Sequence, residues 1–174
     1  MSLCDKSSNS YVPVKEGVNS CMNVARATGM ISGKSYVVMA TITWEFYSFP
    51  DNFGFWLQGS QHHKTNGWGW TIGRVPTAAL MTAMGSTNNN LISIAKSNPK
   101  YSKRIVAQFT CPENYDGFEI GCRCDYADGS SWVKMSDVLI IPSDHYVGQL
   151  TGTGDKISIK INTNEIIADN FIEC

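Results

Sequence analysis

The chain has 174 residues, 43% hydrophobic and 17% charged, with a formal net charge of −1. That length is ample for one domain with a real core, and an aromatic content of 11% excludes intrinsic disorder. A near-neutral balance lacks the clustered basic surplus that a nucleic-acid partner requires, so no nucleic acid is expected.

Residues 1–18 are polar, carry a proline and show little periodicity, so they read as an N-terminal arm ahead of a single domain over 19–174. The sequence MSLCDKSSNS holds no apolar core of a secretory leader, and synthesis and folding in a cytosol are expected. Residues 35–46 are the clearest strand. Tyr36, Val38, Ala40, Ile42, Trp44 and Phe46 share one face, and Val37, Met39, Thr41, Thr43 and Glu45 the other.

Residues 53–58 and 67–74 read as two further strands joined by a loop over 59–66. The segment TAALMTAM, residues 77–84, is the one short helix expected, stopped by Gly85. Strands are then expected over 91–96, 104–111 and 118–126. Asp128-Gly129 marks a tight turn, with residues 132–141 returning as a hairpin partner. A last pair, 156–161 and 166–172, closes the chain. About nine short strands and one helix define an all-β protein, an antiparallel sandwich or jelly roll. The strongly apolar run Val138-Leu139-Ile140-Ile141 is far too short to span a bilayer, so no membrane insertion is expected.

Cys122 and Cys124 stand two apart, which in a strand puts both on one face beside Phe118, Ile120 and Tyr126. They read as small apolar core residues, and the six cysteines as reduced. His62-His63 has no cysteine or carboxylate at metal spacing, so a solvated loop is favoured over a metal site and no cofactor is expected. Asp125-Tyr-Ala-Asp128-Gly129 faintly resembles a calcium loop. It lacks the alternating oxygen ligands and the terminal Glu, which leaves Ca²⁺ a minor alternative to simple turn chemistry.

Trp68-Gly69-Trp70 places two indoles on one face of a strand, after a polar loop. Exposed, they form a platform for sugar rings, with Gln58, Gln61, His62, His63, Asn66 and Arg74 as hydrogen-bonding neighbours; buried, they are core. No nucleophile elbow or P-loop occurs, and sequence brings no two of Glu45, Glu119, Asp125 and Asp137 together, so an enzyme is not expected.

Two segments carry a resemblance. Gly29-Met-Ile-Ser-Gly33-Lys34-Ser35-Tyr36, running into Val37-Val38-Met39-Ala40, is similar to the L-x-x-G-K-x-Y strand of carbohydrate-binding modules of families 4 and 9. Arg104-Ile-Val-Ala-Gln-Phe109-Thr110-Cys111-Pro112 resembles that group's F-x-v-P strand. Phe118 to Arg123 and Trp132 to Val138 follow in the same order, with Ser136 replacing the first Asp of a D-D-V element. The resemblance spans residues 20–142 and lacks the group's aromatic opening motif.

Such jelly rolls occur in polysaccharide-degrading enzymes and in tail, fibre and decoration proteins of bacteriophages. The resemblance therefore implies a non-enzymatic module in a virion, made in the host cytoplasm. Its partners would be a glycan or host-surface polysaccharide and neighbouring virion subunits, with homo-oligomers an option. Two alternatives stand beside it: a capsid or tail cementing protein that binds no sugar, and a small polysaccharide-active enzyme.

Overall fold

The structure is a computed structural model. It describes residues 12–13, 20–72, 75–127 and 129–145, of which 12–13, 20–24, 70–72 and 145 are described by backbone alone. The expected strands over 156–161 and 166–172, and most of the arm, lie outside the described residues.

Eight strands are described: β1 (Val12–Pro13), β2 (Ser20–Thr28), β3 (Ser35–Glu45), β4 (Gly54–His63), β5 (Gly67–Ile72), β6 (Lys100–Thr110), β7 (Tyr115–Asp125) and β8 (Trp132–Pro142). Two helices, α1 (Thr77–Ala83) and α2 (Ile92–Ser97), lie between β5 and β6. One sheet has the order β1-β8-β3-β6 and the other β2-β7-β4-β5. Every pairing is antiparallel, so the fold is an antiparallel β-sandwich.

The alternation of β3 decides its burial. Tyr36, Val38, Ala40, Ile42 and Trp44 enter the core between the sheets and meet Phe55, Leu57, Phe109, Phe118, Ile120, Met135 and Ile140. Trp44 lies flat on Tyr101 with centroids 4.0 Å apart, and its Nε1 donates to the Asn98 carbonyl at 2.8 Å. Cys122 and Cys124 are buried free thiols in this core, as is Cys111.

Four expectations are corrected. Residues 91–96 are not a strand: α2 forms there because Leu91 and Ala95, four apart, bury one helical stripe. A second helix thus joins the one expected over 77–84. The segment 59–63 is not loop but the second half of β4, and only Lys64–Asn66 turn. Gly59 permits the continuation, since a Cβ there would sit 1.6 Å from the Glu119 carbonyl oxygen. Residues 132–141 are not the hairpin partner of β7, because β7 and β8 belong to different sheets and their connection crosses the sandwich. Finally, β2 and β1 were not expected: Val12 and Pro13, inside the supposed arm, pair with Val133 and Trp132.

Helix α1 packs on β6 of one sheet and β4 of the other, burying Leu80 and Met81 at a side of the sandwich. The outer face of β2-β7-β4-β5 is left away from the helices' buried side chains, and the candidate site is built on it.

Candidate functional site on the outer face of one sheet

Strand parity sets which side chains reach this face. On β4 the core takes Phe55 and Leu57, so Trp56, Gln58, Ser60 and His62 point outward. Their β7 partners are Arg123, Gly121 and Gly117, with Glu119 between the last two. Arg26 of β2 stands opposite Glu119, and Trp68 of β5 opposite His62.

Trp68 is 38% exposed, an unusual state for so large an apolar ring, and therefore is not core. Its ring crosses the sheet. A Cβ on Gly117 would lie 3.3 Å from the indole, so the glycine leaves the bed in which the ring rests. The Arg26 guanidinium lies 4.9 Å from the ring centroid, and the His62 ring packs against the indole at 5.2 Å. Glu119 accepts from Arg26 Nε at 2.7 Å and also from Nη2, and Asp116 Oδ1 lies 2.5 Å from His62 Nδ1. Arg26 and His62, the two side chains packed on Trp68, thus each have a carboxylate beside them.

The same arrangement recurs further along β4. Arg123 lies 5.1 Å from the Trp56 ring centroid and makes a two-point contact with Asp125, at 3.0 and 3.2 Å. Trp56 Nε1 donates to Gln58 Oε1 at 3.3 Å. Between the two Trp–Arg pairs lie Gln58, Ser60 and Glu119, all buried although they sit on an outward face. Gly121, opposite Gln58, adds no side chain to that stretch. Six residues separate Trp56 from His62, a span of ~20 Å along the strand.

The expected site residues divide. His62 and Trp68 come together here, Gln58 shares their face four residues along β4 beside Trp56, and Trp70 pairs with Ser60 in register, its side chain lying outside the described part. Arg74 lies outside the described residues. His63 has the opposite parity from His62. Its Nδ1 accepts the backbone N–H groups of Thr65 and Asn66, at 3.1 and 3.3 Å, so it caps the β4–β5 turn rather than joining the platform. Asn66 is exposed in that turn. Gln61 points into the interior, where its Nε2 donates to the Val75 carbonyl at 3.0 Å.

The sequence reading did not place Arg26, Trp56, Ser60, Asp116, Glu119, Arg123 or Asp125 in a site. The available signal was the alternation in β7, where Glu119, Gly121, Arg123 and Asp125 interleave with apolar Phe118, Ile120, Cys122 and Cys124. Beneath the face, burial holds the Cys124 thiol well above its usual range.

Among the described residues no group of three or more His, Cys, Asp or Glu is placed to hold a metal ion. Asp125, first residue of the calcium-like stretch, is engaged by Arg123, and Asp128 lies outside the described residues. No described helix is long and apolar enough to cross a membrane.

No protein-family model matches the chain, and neither a curated protein nor a solved structure gives a significant match. The class that the fold defines is the two-sheet antiparallel β-sandwich.

Proposed function

We propose that the chain is a non-enzymatic glycan-binding jelly roll that displays its β2-β7-β4-β5 face to a saccharide. The strand orders β1-β8-β3-β6 and β2-β7-β4-β5 support the jelly-roll reading, since eight strands wound as two Greek keys distribute between sheets in that way. Jelly rolls host viral capsid and lectin domains, which is an argument from fold alone.

The observation that carries the binding reading is the exposed Trp68 ring held by Arg26 and His62 on the outer face of the sheet. An indole fixed from the protein side offers an apolar surface to the C–H face of a pyranose. The exposed Arg26 and the half-buried His62 and Asp116 beside the ring would fix the sugar's orientation through hydrogen bonds. The non-enzymatic reading draws on the spacing of one carboxylate pair. Glu119 and Asp125 are each tied to an arginine and stand six residues apart on one strand, ~20 Å, against the ~5–9.5 Å that paired glycosidase carboxylates require.

Placement in a virion, as a decoration, fibre or tail protein, rests on the resemblance to phage-borne jelly rolls. In that setting many copies of a weak site gain avidity by repetition.

The test is titration of immobilised and soluble glycans against the full chain and Trp68→Ala, with iodide quenching of tryptophan fluorescence alongside. Binding that protects fluorescence from iodide and disappears in the variant is expected. An absence of any saccharide response across neutral and acidic polysaccharides would overturn the reading and favour a purely cementing role.

A further inference from the structure

An unpaired sheet edge offers a row of N–H and C=O groups to any strand that arrives, so each edge of the two sheets needs a device that blunts it. Among the described residues, all edges but one have such a device. β1 is two residues long and ends in Pro13. Beyond it, β8 carries Lys134, a register shift between Ser136 and Leu139, and Pro142. β6 presents the exposed Lys100 and Lys103 and packs against α1. β2 has a register shift between Asn23 and Ala25 and the exposed Arg26. The stretch of β4 that β5 does not reach is closed by the helices. There the Leu57 N–H donates to Met81 Sδ at 3.4 Å, and the Phe55 carbonyl accepts from the Leu91 N–H at 2.7 Å.

β5 is the exception. Its sequence, GWGWTI over Gly67–Ile72, has no charge and no proline, and it pairs with β4 without a register shift. The bonds of Leu57 and Phe55 also fix which way its backbone faces. They point the main-chain groups of odd-numbered β4 residues away from β7, so Gly59, Gln61 and His63 bond β5 through their partners Thr71, Gly69 and Gly67. The N–H and C=O groups of Trp68, Trp70 and Ile72 therefore face outward.

We infer that β5 pairs with β5 of a second copy of this chain, antiparallel, about a two-fold axis through Trp70. Trp70 then stands opposite the second copy's Trp70, and Trp68 opposite its Ile72, each pair exchanging two N–H···O bonds; this register uses all three outward residues. The partner strand must itself be an unblunted edge, and β5 is the one such edge among the described residues. Neither this uncharged strand nor a net charge of −1 opposes the approach of a like copy. Two-fold pairing of a single edge is closed, so association stops at two chains. The axis is perpendicular to the sheet, which joins the two four-stranded sheets into one and leaves both Trp68 positions on the same side, ~14 Å apart. This pairing does not rest on the glycan reading.

Sedimentation of the full chain across roughly 5–500 μM tests it, a range suited to an interface as small as one short strand pair. The mass should rise from 19.2 kDa to twice that and no further. Trp70→Pro removes an outward N–H without deleting a bond to β4, and should keep the chain monomeric at every concentration with its circular dichroism unchanged. In a chain carrying Cys4→Ser, Cys21→Ser and Cys174→Ser, Trp70→Cys should give a disulfide-linked dimer under mild oxidation, because residues at the axis stand ~5.5 Å apart. The same chain with Lys64→Cys, in the exposed turn, should not. A parent chain that is monomeric throughout, growth beyond two chains, or a Trp70→Pro chain that still dimerises overturns the inference. Should the proline variant unfold, the cysteine variants decide: crosslinking that is absent at position 70, or equal at 64, overturns it.

Discussion

The guanidinium of Arg26 lies 4.9 Å from the centre of the Trp68 ring and is held there by Glu119, 93 residues away in sequence. A cation between a carboxylate and an indole fixes the ring without burying it. Trp68→Ala should therefore abolish saccharide binding at a small cost in stability, about 1 kcal/mol. Trp44→Ala, in the core, should cost about 3–5 kcal/mol. Urea unfolding of both variants beside a binding assay checks the contrast, and a Trp68 variant as unstable as the Trp44 one would refute it.

The Arg26–Trp68 contact should be measurable as a coupling. In a double-mutant cycle with Arg26→Ala and Trp68→Ala, the interaction free energy is expected at about 0.5–1 kcal/mol. Arg26→Ala alone should also weaken binding, because the ring loses the group that orients it. A coupling of zero with intact binding would show that Gly117 and His62 suffice to position the indole.

Gly59→Ala should be among the most damaging single changes. The new methyl group would meet a backbone carbonyl in β7, not the tip of a flexible side chain, so the two central strands of the site-bearing sheet must part. A loss of about 3 kcal/mol is expected, with the m-value unchanged if unfolding stays cooperative. Thermal and urea denaturation of the variant provide the check.

Alkaline stability should depend on the core thiols. Burial raises the Cys111 thiol from 9.0 to about 11, so the folded state keeps a proton that the unfolded chain releases first. The contribution is complete below pH 9.0 and is lost as pH climbs through about 11. Cys124 acts in the same direction. Cys111→Ala should flatten the alkaline limb of stability against pH, and unfolding series between those two pH values read the slope directly.

How much of this was legible in sequence depends on how local the signal is. Period two in residues 35–46 announced β3, and the segment TAALMTAM, residues 77–84, read as a short helix stopped by Gly85. In contrast, β2, with the sequence SCMNVARAT, has few β-branched residues and a register shift between Asn23 and Ala25 that breaks its alternation. The run LISIAKS fits strand or helix, and only packing of Leu91 and Ala95 decides. Within the site, the paired indole positions and Gln58 were readable because they are near one another in the chain. Arg26, Glu119 and Arg123 were not, since only the β2–β7–β4 register brings them to the tryptophans.

The neighbouring positions of β1, β8 and β3 carry a consequence for biosynthesis. β3 gains its second partner only when β8 exists, so a nascent chain still short of Pro142 holds β3 with one edge open. Pairing across such sequence distances is slow relative to helix formation, on the order of milliseconds to seconds. During elongation on the ribosome, Val38, Ile42 and Trp44 remain without the β8 half of their cover. Until translation has passed β8, that apolar surface and open strand edge make the partly made chain prone to aggregation.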